Sequence, residues 1–297
     1  MAPFSPLQGV YTALVTPFSS NTIDYRSLRT LLEQQIDAGV QGLVLLDTTG
    51  EGSTIDATER KQLLSFVSQN VHQKLPIWVS IQANCTIRAL HLMEEAEAFG
   101  IDGFLIVTPY YNRPTQSGLY LHFATLAKAT QKPICLHSSP FRCGVELTTE
   151  TIQRLRKTHP NLVALKESGG SCNRVAQLMK ENDADFHVLA GEDAFALPFF
   201  ALGAKGVISV AANWIPKEMV RLFQKVSEND FEGAANINRR YYPLFRALTL
   251  ETNPVPIKYV LHQAGILSSP DVRLPLCPLS TSNAAALDRI LCTLQKA

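Results

Sequence analysis

Lys166 is set apart from the other lysines by what precedes it. It directly follows Leu162-Val163-Ala164-Leu165, so its stem begins inside an apolar run. An ammonium in apolar surroundings is costly, and desolvation favours the neutral amine. Such an amine attacks carbonyls to give an iminium, an electron sink for carbanion chemistry. A structural reading stands beside this one: a lysine at a strand end that reaches solvent or pairs with Glu167. Position alone leaves both open. Lys205 precedes its apolar run and Lys258 falls in a segment of helical pattern, so both are weaker candidates.

Three other groups have chemistry to offer. Thr48-Thr49-Gly50-Glu51-Gly52 closes an apolar run with hydroxyls and turn amides of the kind that bind a carboxylate. The plainer reading is a turn whose threonine caps the next helix. Tyr110-Tyr111, after Pro109, would place a phenol in a pocket, although paired aromatics more often pack. Arg142, in a loop rich in Ser and Pro, suits a bidentate grip on a second carboxylate, or else is a solvated loop arginine.

These residues need a frame that brings them together. Short apolar runs recur at Val10–Pro17, Gly42–Leu46, Ile77–Ala83, Gly103–Pro109, Pro133–Leu136, Leu162–Leu165, Val188–Ala190 and Val207–Ala211. Their length, β-branched content and bounding Gly or Pro suit buried parallel strands. Between them lie segments of helical period, such as Ser27–Ala38 ended by Gly39 and Thr86–Phe99 ended by Gly100. Strand–helix alternation predicts a parallel sheet, and eight unbroken units favour an α/β (β/α)8 barrel, the TIM barrel. Each run turns polar at its C-terminal end, and in a barrel those ends converge on one rim where active sites are built. Residues 1–229 are assigned to the barrel. From about Asp230 the strand runs cease, and residues 230–297 read as an appended helical subdomain broken by Pro254, Pro256, Pro270, Pro275 and Pro278.

Composition narrows the partners. The chain has 297 residues, 46% of them hydrophobic and 18% charged, which suits a soluble globular protein with a sizeable core. A formal net charge of +1 gives no electrostatic reason to expect nucleic acid or an anionic membrane. No apolar stretch approaches the roughly 20 residues of a membrane span. Met1 to Pro6 carries neither a basic region nor a long apolar run, so no signal peptide is expected. Six scattered cysteines without a C-x-x-C pair suit reduced thiols in a cytoplasm.

Taken together, these segments resemble the pyruvate-dependent class I aldolase family that includes dihydrodipicolinate synthase and N-acetylneuraminate lyase. The resemblance covers nearly the whole chain. It rests on Thr48-Thr49-Gly50-Glu51, on Val107 through Pro114, on Leu165-Lys166-Glu167, on Gly206 through Val210, and on Asn253 through Lys258. It implies condensation of pyruvate with L-aspartate 4-semialdehyde to 4-hydroxy-tetrahydrodipicolinate, on the route to diaminopimelate and lysine, with no metal or organic cofactor. Lys166 matches the Schiff-base lysine, and Thr48 and Thr49 match the pair that holds the pyruvate carboxylate and passes protons. Tyr111 matches a tyrosine that reaches across a dimer interface, and Arg142 the residue that receives the semialdehyde's carboxylate. Ile208 matches a position whose backbone carbonyl lies near the lysine. A homotetramer, a dimer of dimers, is implied as well.

Three positions depart from the family pattern. His137, in Leu136-His137-Ser138-Ser139-Pro140, stands where the family places its central catalytic tyrosine. A free phenol titrates near pH 10 and a free imidazole near about 6.5, but imidazole can relay protons through its two nitrogens. The departure leaves three activities open: the synthase reaction with His137 as relay, another pyruvate-dependent aldol or lyase reaction on a sugar-derived 2-oxo acid, or a catalytically weak ligand-binding paralogue. The first is favoured because lysine, both threonines, Tyr111 and Arg142 all remain. Asp47 replaces the usual glycine before the threonine pair, where it would bond local amides or face solvent. Finally, Ala57, Arg60 and Arg88 replace polar or acidic groups of the family's lysine-inhibition site, although Asn84 and Tyr110 remain. Weak or absent lysine inhibition is expected.

Overall fold

The computed structural model describes residues 7–71, 73–180 and 185–296; the stretch Met1 to Pro6, which bore on the signal-peptide reading, lies outside the described residues. Eight parallel strands close into a barrel: β1 (Gly9–Ala13), β2 (Gly42–Leu45), β3 (Ile77–Ile81), β4 (Gly103–Val107), β5 (Ile134–Ser138), β6 (Leu162–Glu167), β7 (His187–Ala190) and β8 (Gly206–Ser209). β8 returns to β1, with Tyr11 opposite Ile208. Each strand coincides with one of the apolar runs, which confirms the expected TIM barrel. The main correction is at the ends of β5 and β6. Both strands run two residues beyond the apolar stretch, so His137 and Lys166 lie within the sheet rather than after it.

Alternation along each strand sorts its residues between two cores. Tyr11, Val44, Trp78, Leu105, Cys135, Ala164, Leu189 and Ile208 fill the barrel interior. Val10, Leu43, Val79, Phe104 and Val207 face outward and pack against the surrounding helices. The first helix, α1 (Tyr25–Ala38), starts two residues before the expected Ser27. Asp24 draws it back, accepting from the amides of Arg26 at 3.0 Å and Ser27 at 3.1 Å, and Gly39 ends it in the left-handed conformation at φ 71°.

The C-terminal region is helical as expected, with segments at Phe231–Ala247, Val255–Gln263 and Thr281–Lys296. Pro254 and Pro256 start the second of these rather than break it, since a first turn needs no proline N–H. No helix among the described residues is long and apolar enough to cross a membrane.

Candidate active site

The register of the sheet sets the centre of the site. Cys135 and Ala164 point into the barrel, so His137 and Lys166, two residues further on, point the same way at its C-terminal rim. The two are direct neighbours across β5 and β6. Glu167 points outward, where it accepts from Arg174 Nε at 2.9 Å. The structural reading of Lys166 as the partner of Glu167 therefore fails.

The partner of Lys166 is Asp47. Lys166 Nζ donates to Asp47 Oδ2 at 2.7 Å, and both residues are buried. The sequence offered Asp47 two roles, bonding local amides or facing solvent, and the inward turn comes from the backbone. Leu46 adopts φ 59°, a left-handed conformation costly for a branched residue, and this re-aims the chain at the end of β2. Gly52 permits the kink, because a Cβ there would stand 2.1 Å from the Leu46 carbonyl oxygen. Asp47 Oδ1 accepts from Ser80 Oγ at 3.0 Å and Gln82 Nε2 at 3.3 Å, tying the carboxylate to β3 and the residues just beyond it. Burial opposes ionisation, yet the ammonium of Lys166 holds this carboxyl well below the usual range.

His137 has a different environment. Its Nε2 lies 3.1 Å from Ser168 Oγ, while Nδ1 has no hydrogen-bond partner among the described residues and stands 3.9 Å from Asp47 Oδ1. Gly191 makes room for this arrangement, since a Cβ there would fall 2.0 Å from Ser168 Oγ. Burial first, and the Lys166 ammonium second, push the imidazole down to about 3. It is therefore neutral near pH 7, one ring nitrogen carrying hydrogen and the other not. The unfolded chain, with an ordinary imidazole near about 6.5, binds more protons than the native one between these two values. This residue's contribution to stability is thus present above about pH 6.5 and lost as pH falls toward 3. The pH–rate profile of the wild-type protein should show no inflection from His137 near about pH 6.5. His137→Phe should still lower turnover by at least about tenfold, because a neutral imidazole can both donate and accept. A limb near neutrality that disappears in His137→Asn would overturn the first expectation, and unchanged turnover in His137→Phe the second.

The turn after β2 supplies hydroxyls. Thr48–Gly50 forms one 3-10 turn and Gly52–Thr54 a second, joined by Glu51 at φ 51°. Helix capping is done instead by Asp56 and Glu59, each of which accepts from the other's amide. Thr16 Oγ1 donates to the Gly50 carbonyl at 2.7 Å, and Asn253 Nδ2 donates to Thr49 Oγ1 at 3.0 Å. Glu51 turns down into the protein, where Lys258 Nζ and the Arg273 amide at 3.0 Å both donate to it. Lys258, discounted as a candidate on sequence, is fully buried here and also lies over the Phe18 ring at 4.1 Å.

Lys166, Asp47, Thr48, Thr49, His137, Arg142 and Ser168 line one cavity. Its far side includes Glu192, Phe245, Arg246 and Asn253, so the C-terminal region helps close it. Arg142 belongs to a single helical turn, Pro140–Cys143, rather than a loop, and also lines an adjoining cavity with Tyr110. Tyr111 lies apart from this grouping: at φ 72° its side chain is 90% exposed. Ile208 is fully buried in the barrel interior, and Val210 lines the cavity two residues further on. Sequence reasoning passed over Ser168, a small polar residue without a motif of its own, and took Asn253 only as the start of a matching segment, without a role. It flagged Asp47 without a role, and its signal was the replacement of glycine by a carboxylate beside the threonine pair.

A parallel barrel with a lysine at its C-terminal rim, inside a cavity lined by hydroxyls and a guanidinium, has the makings of a barrel aldolase that works through an amine. Residues 6–294 match the model of the dihydrodipicolinate synthetase family, and the chain belongs to that family. It is 41% identical to a 4-hydroxy-tetrahydrodipicolinate synthase from Fervidobacterium nodosum over 283 residues, 95% of this chain and 97% of that one. A solved 4-hydroxy-tetrahydrodipicolinate synthase from Methylacidiphilum fumariolicum SolV superposes with a TM-score of 0.95 at 41% identity, covering 98% and 96% of the two chains. A lysine-bound synthase structure from Cyanidioschyzon merolae has a TM-score of 0.93 at 33% identity, covering 98% and 99%.

Proposed function

We propose that this chain condenses pyruvate with L-aspartate 4-semialdehyde to 4-hydroxy-tetrahydrodipicolinate through an iminium on Lys166. The observation that carries the reading is the buried Nζ of Lys166 in a rim cavity shared with Thr48, Thr49 and Arg142, in a chain whose relatives bear that activity in their names. The amine adds to C2 of pyruvate and water is lost. The iminium then draws electrons from the methyl carbon as a proton leaves, and the resulting enamine attacks the aldehyde. Thr48 and Thr49 hold the pyruvate carboxylate, and Arg142 receives the carboxylate of the semialdehyde. His137 passes protons in place of a phenol. Incubation with pyruvate and borohydride should fix a pyruvyl group on Lys166, located by peptide mass mapping. Product formation from pyruvate plus aspartate semialdehyde then tests the second substrate.

The exposed phenol of Tyr111 suits a contact with a second copy of the chain, and we read the working form as a cytoplasmic homotetramer. A monomer in sedimentation velocity at assay concentration would sink that assignment. Lysine should inhibit weakly or not at all. Arg60 Nε pairs with Glu95 at 3.1 Å and Arg88 is exposed, and neither guanidinium can accept a hydrogen bond from an amino acid's ammonium. Inhibition by sub-millimolar lysine in a steady-state assay would overturn the expectation.

A further inference from the structure

None of the roles above uses Asp47, yet of the acidic groups in the cavity it is the one bonded to the reacting nitrogen. A purely structural ion pair needs no access to a cavity. Asp47 and Lys166 both line one, so their pair faces whatever binds there. The two carboxylate oxygens are also used differently. Oδ2 takes the 2.7 Å bond from Lys166, while Oδ1 is held by Ser80 and Gln82 and faces the unpartnered Nδ1 of His137 at 3.9 Å. Arg142, Glu192, Asp193 and Arg246 are the remaining charged groups around the cavity among the described residues.

We propose that Asp47 is a catalytic residue, the proton acceptor and donor for iminium formation at Lys166 and the counter-ion of the iminium once formed. This deepens the reading of Lys166 as the imine-forming lysine and rests on it. In the first step Lys166 passes one ammonium proton to Asp47 Oδ2, leaving an amine and a carboxylic acid. The amine's lone pair forms the bond to C2 of the 2-oxo acid, and the carbonyl π pair moves to oxygen. A second proton shifts from nitrogen to that oxygen, giving a neutral carbinolamine. Asp47 then protonates the departing hydroxyl, which leaves as water while the nitrogen lone pair forms C=N. Nitrogen keeps its last proton, so the iminium cation faces a regenerated Asp47 carboxylate. Charge and protons balance without any outside reagent. Nδ1 of His137, beside Oδ1, gives the acid form of Asp47 a second route for its proton.

The test compares rates of pyruvate trapping on Lys166 by borohydride in the wild type, Asp47→Asn and Asp47→Gly. The backbone at position 47 is extended, at φ −78°, so glycine fits there without strain. Both variants, shown folded by circular dichroism, should form the imine at least about a hundredfold more slowly. Formate added to Asp47→Gly should recover about tenfold of that loss by placing a carboxylate in the vacated space. A folded variant trapping pyruvate within about threefold of wild type would overturn the proposal. The wild-type protein carries an independent check that no folding defect can obscure. With carbon-13 aspartate, rapid-mixing infrared spectra should show a protonated carboxyl band rising before the imine, and its absence would also overturn the proposal. Failure of the wild type itself to trap pyruvate would instead remove the underlying reading of Lys166.

Discussion

Lys166→Met is expected to abolish both pyruvate adduct formation and aldol turnover, a loss of at least about ten-thousandfold, because no other lysine among the described residues lines the cavity. The substitution also has a structural consequence. It leaves the Asp47 carboxylate buried and unpaired, and breaking a buried pair from one side costs about 3–5 kcal/mol. Asp47 can relieve that cost by taking a proton, which reverses its usual dependence on pH. In the wild type the depressed carboxyl contributes stability above its ordinary unfolded value, and this is lost as pH falls through the folded one. In Lys166→Met the same carboxyl should titrate above its unfolded value, so acid relieves rather than destabilises. Thermal melts between about pH 4 and pH 8 should therefore converge at the acid end. A constant gap across that range would show that Asp47 keeps another counter-charge.

Lys258→Met should produce the largest loss of stability away from Lys166. Lys258 is fully buried, and burial pushes its ammonium down to about 8 despite the adjoining Glu51 carboxylate. Removing it leaves Glu51 under-compensated, at a cost of about 3–5 kcal/mol and a Tm shift on the order of 10 °C. The damage should reach substrate binding too. Glu51 is one residue from Gly50, whose carbonyl Thr16 holds, and two from Thr49, so KM for pyruvate should rise. Replacing both partners, as in Glu51→Leu with Lys258→Met, should cost less than Lys258→Met alone, because no uncompensated charge remains. A double variant less stable than either single one would mean that the pair contributes more than mutual neutralisation.

The barrel was legible because its signal is repeated eight times. Each apolar run is short, each following segment is amphipathic, and polar residues gather at one end of each run. What escaped detection was at the ends of the strands. His137 and Lys166 continue β5 and β6 although neither is apolar, because their neighbours' backbone groups are paired across the sheet. The candidacy of Lys166 was legible from its immediate neighbours in sequence, although they left a structural role equally open. Asp47 was not, since its direction depends on a left-handed Leu46 that composition gives no reason to expect. Lys258 was discounted for lying on a helix, and its partner Glu51 is 207 positions away. Tyr111 and Arg142 had roles only through the family resemblance, and their own neighbours in sequence left packing or solvated readings open.

The ties from Asn253 to Thr49 and from Lys258 to Glu51 also bear on synthesis. A nascent chain presents Thr48 and Thr49 early, yet two of the groups that fasten this turn lie 204 and 207 positions beyond the residues they hold. Until Lys258 emerges, the Glu51 carboxylate has no cation to meet and the second strand's turn has no anchor on that side. The final shape of the turn should therefore be set late, once the segment carrying Asn253 and Lys258 has been made.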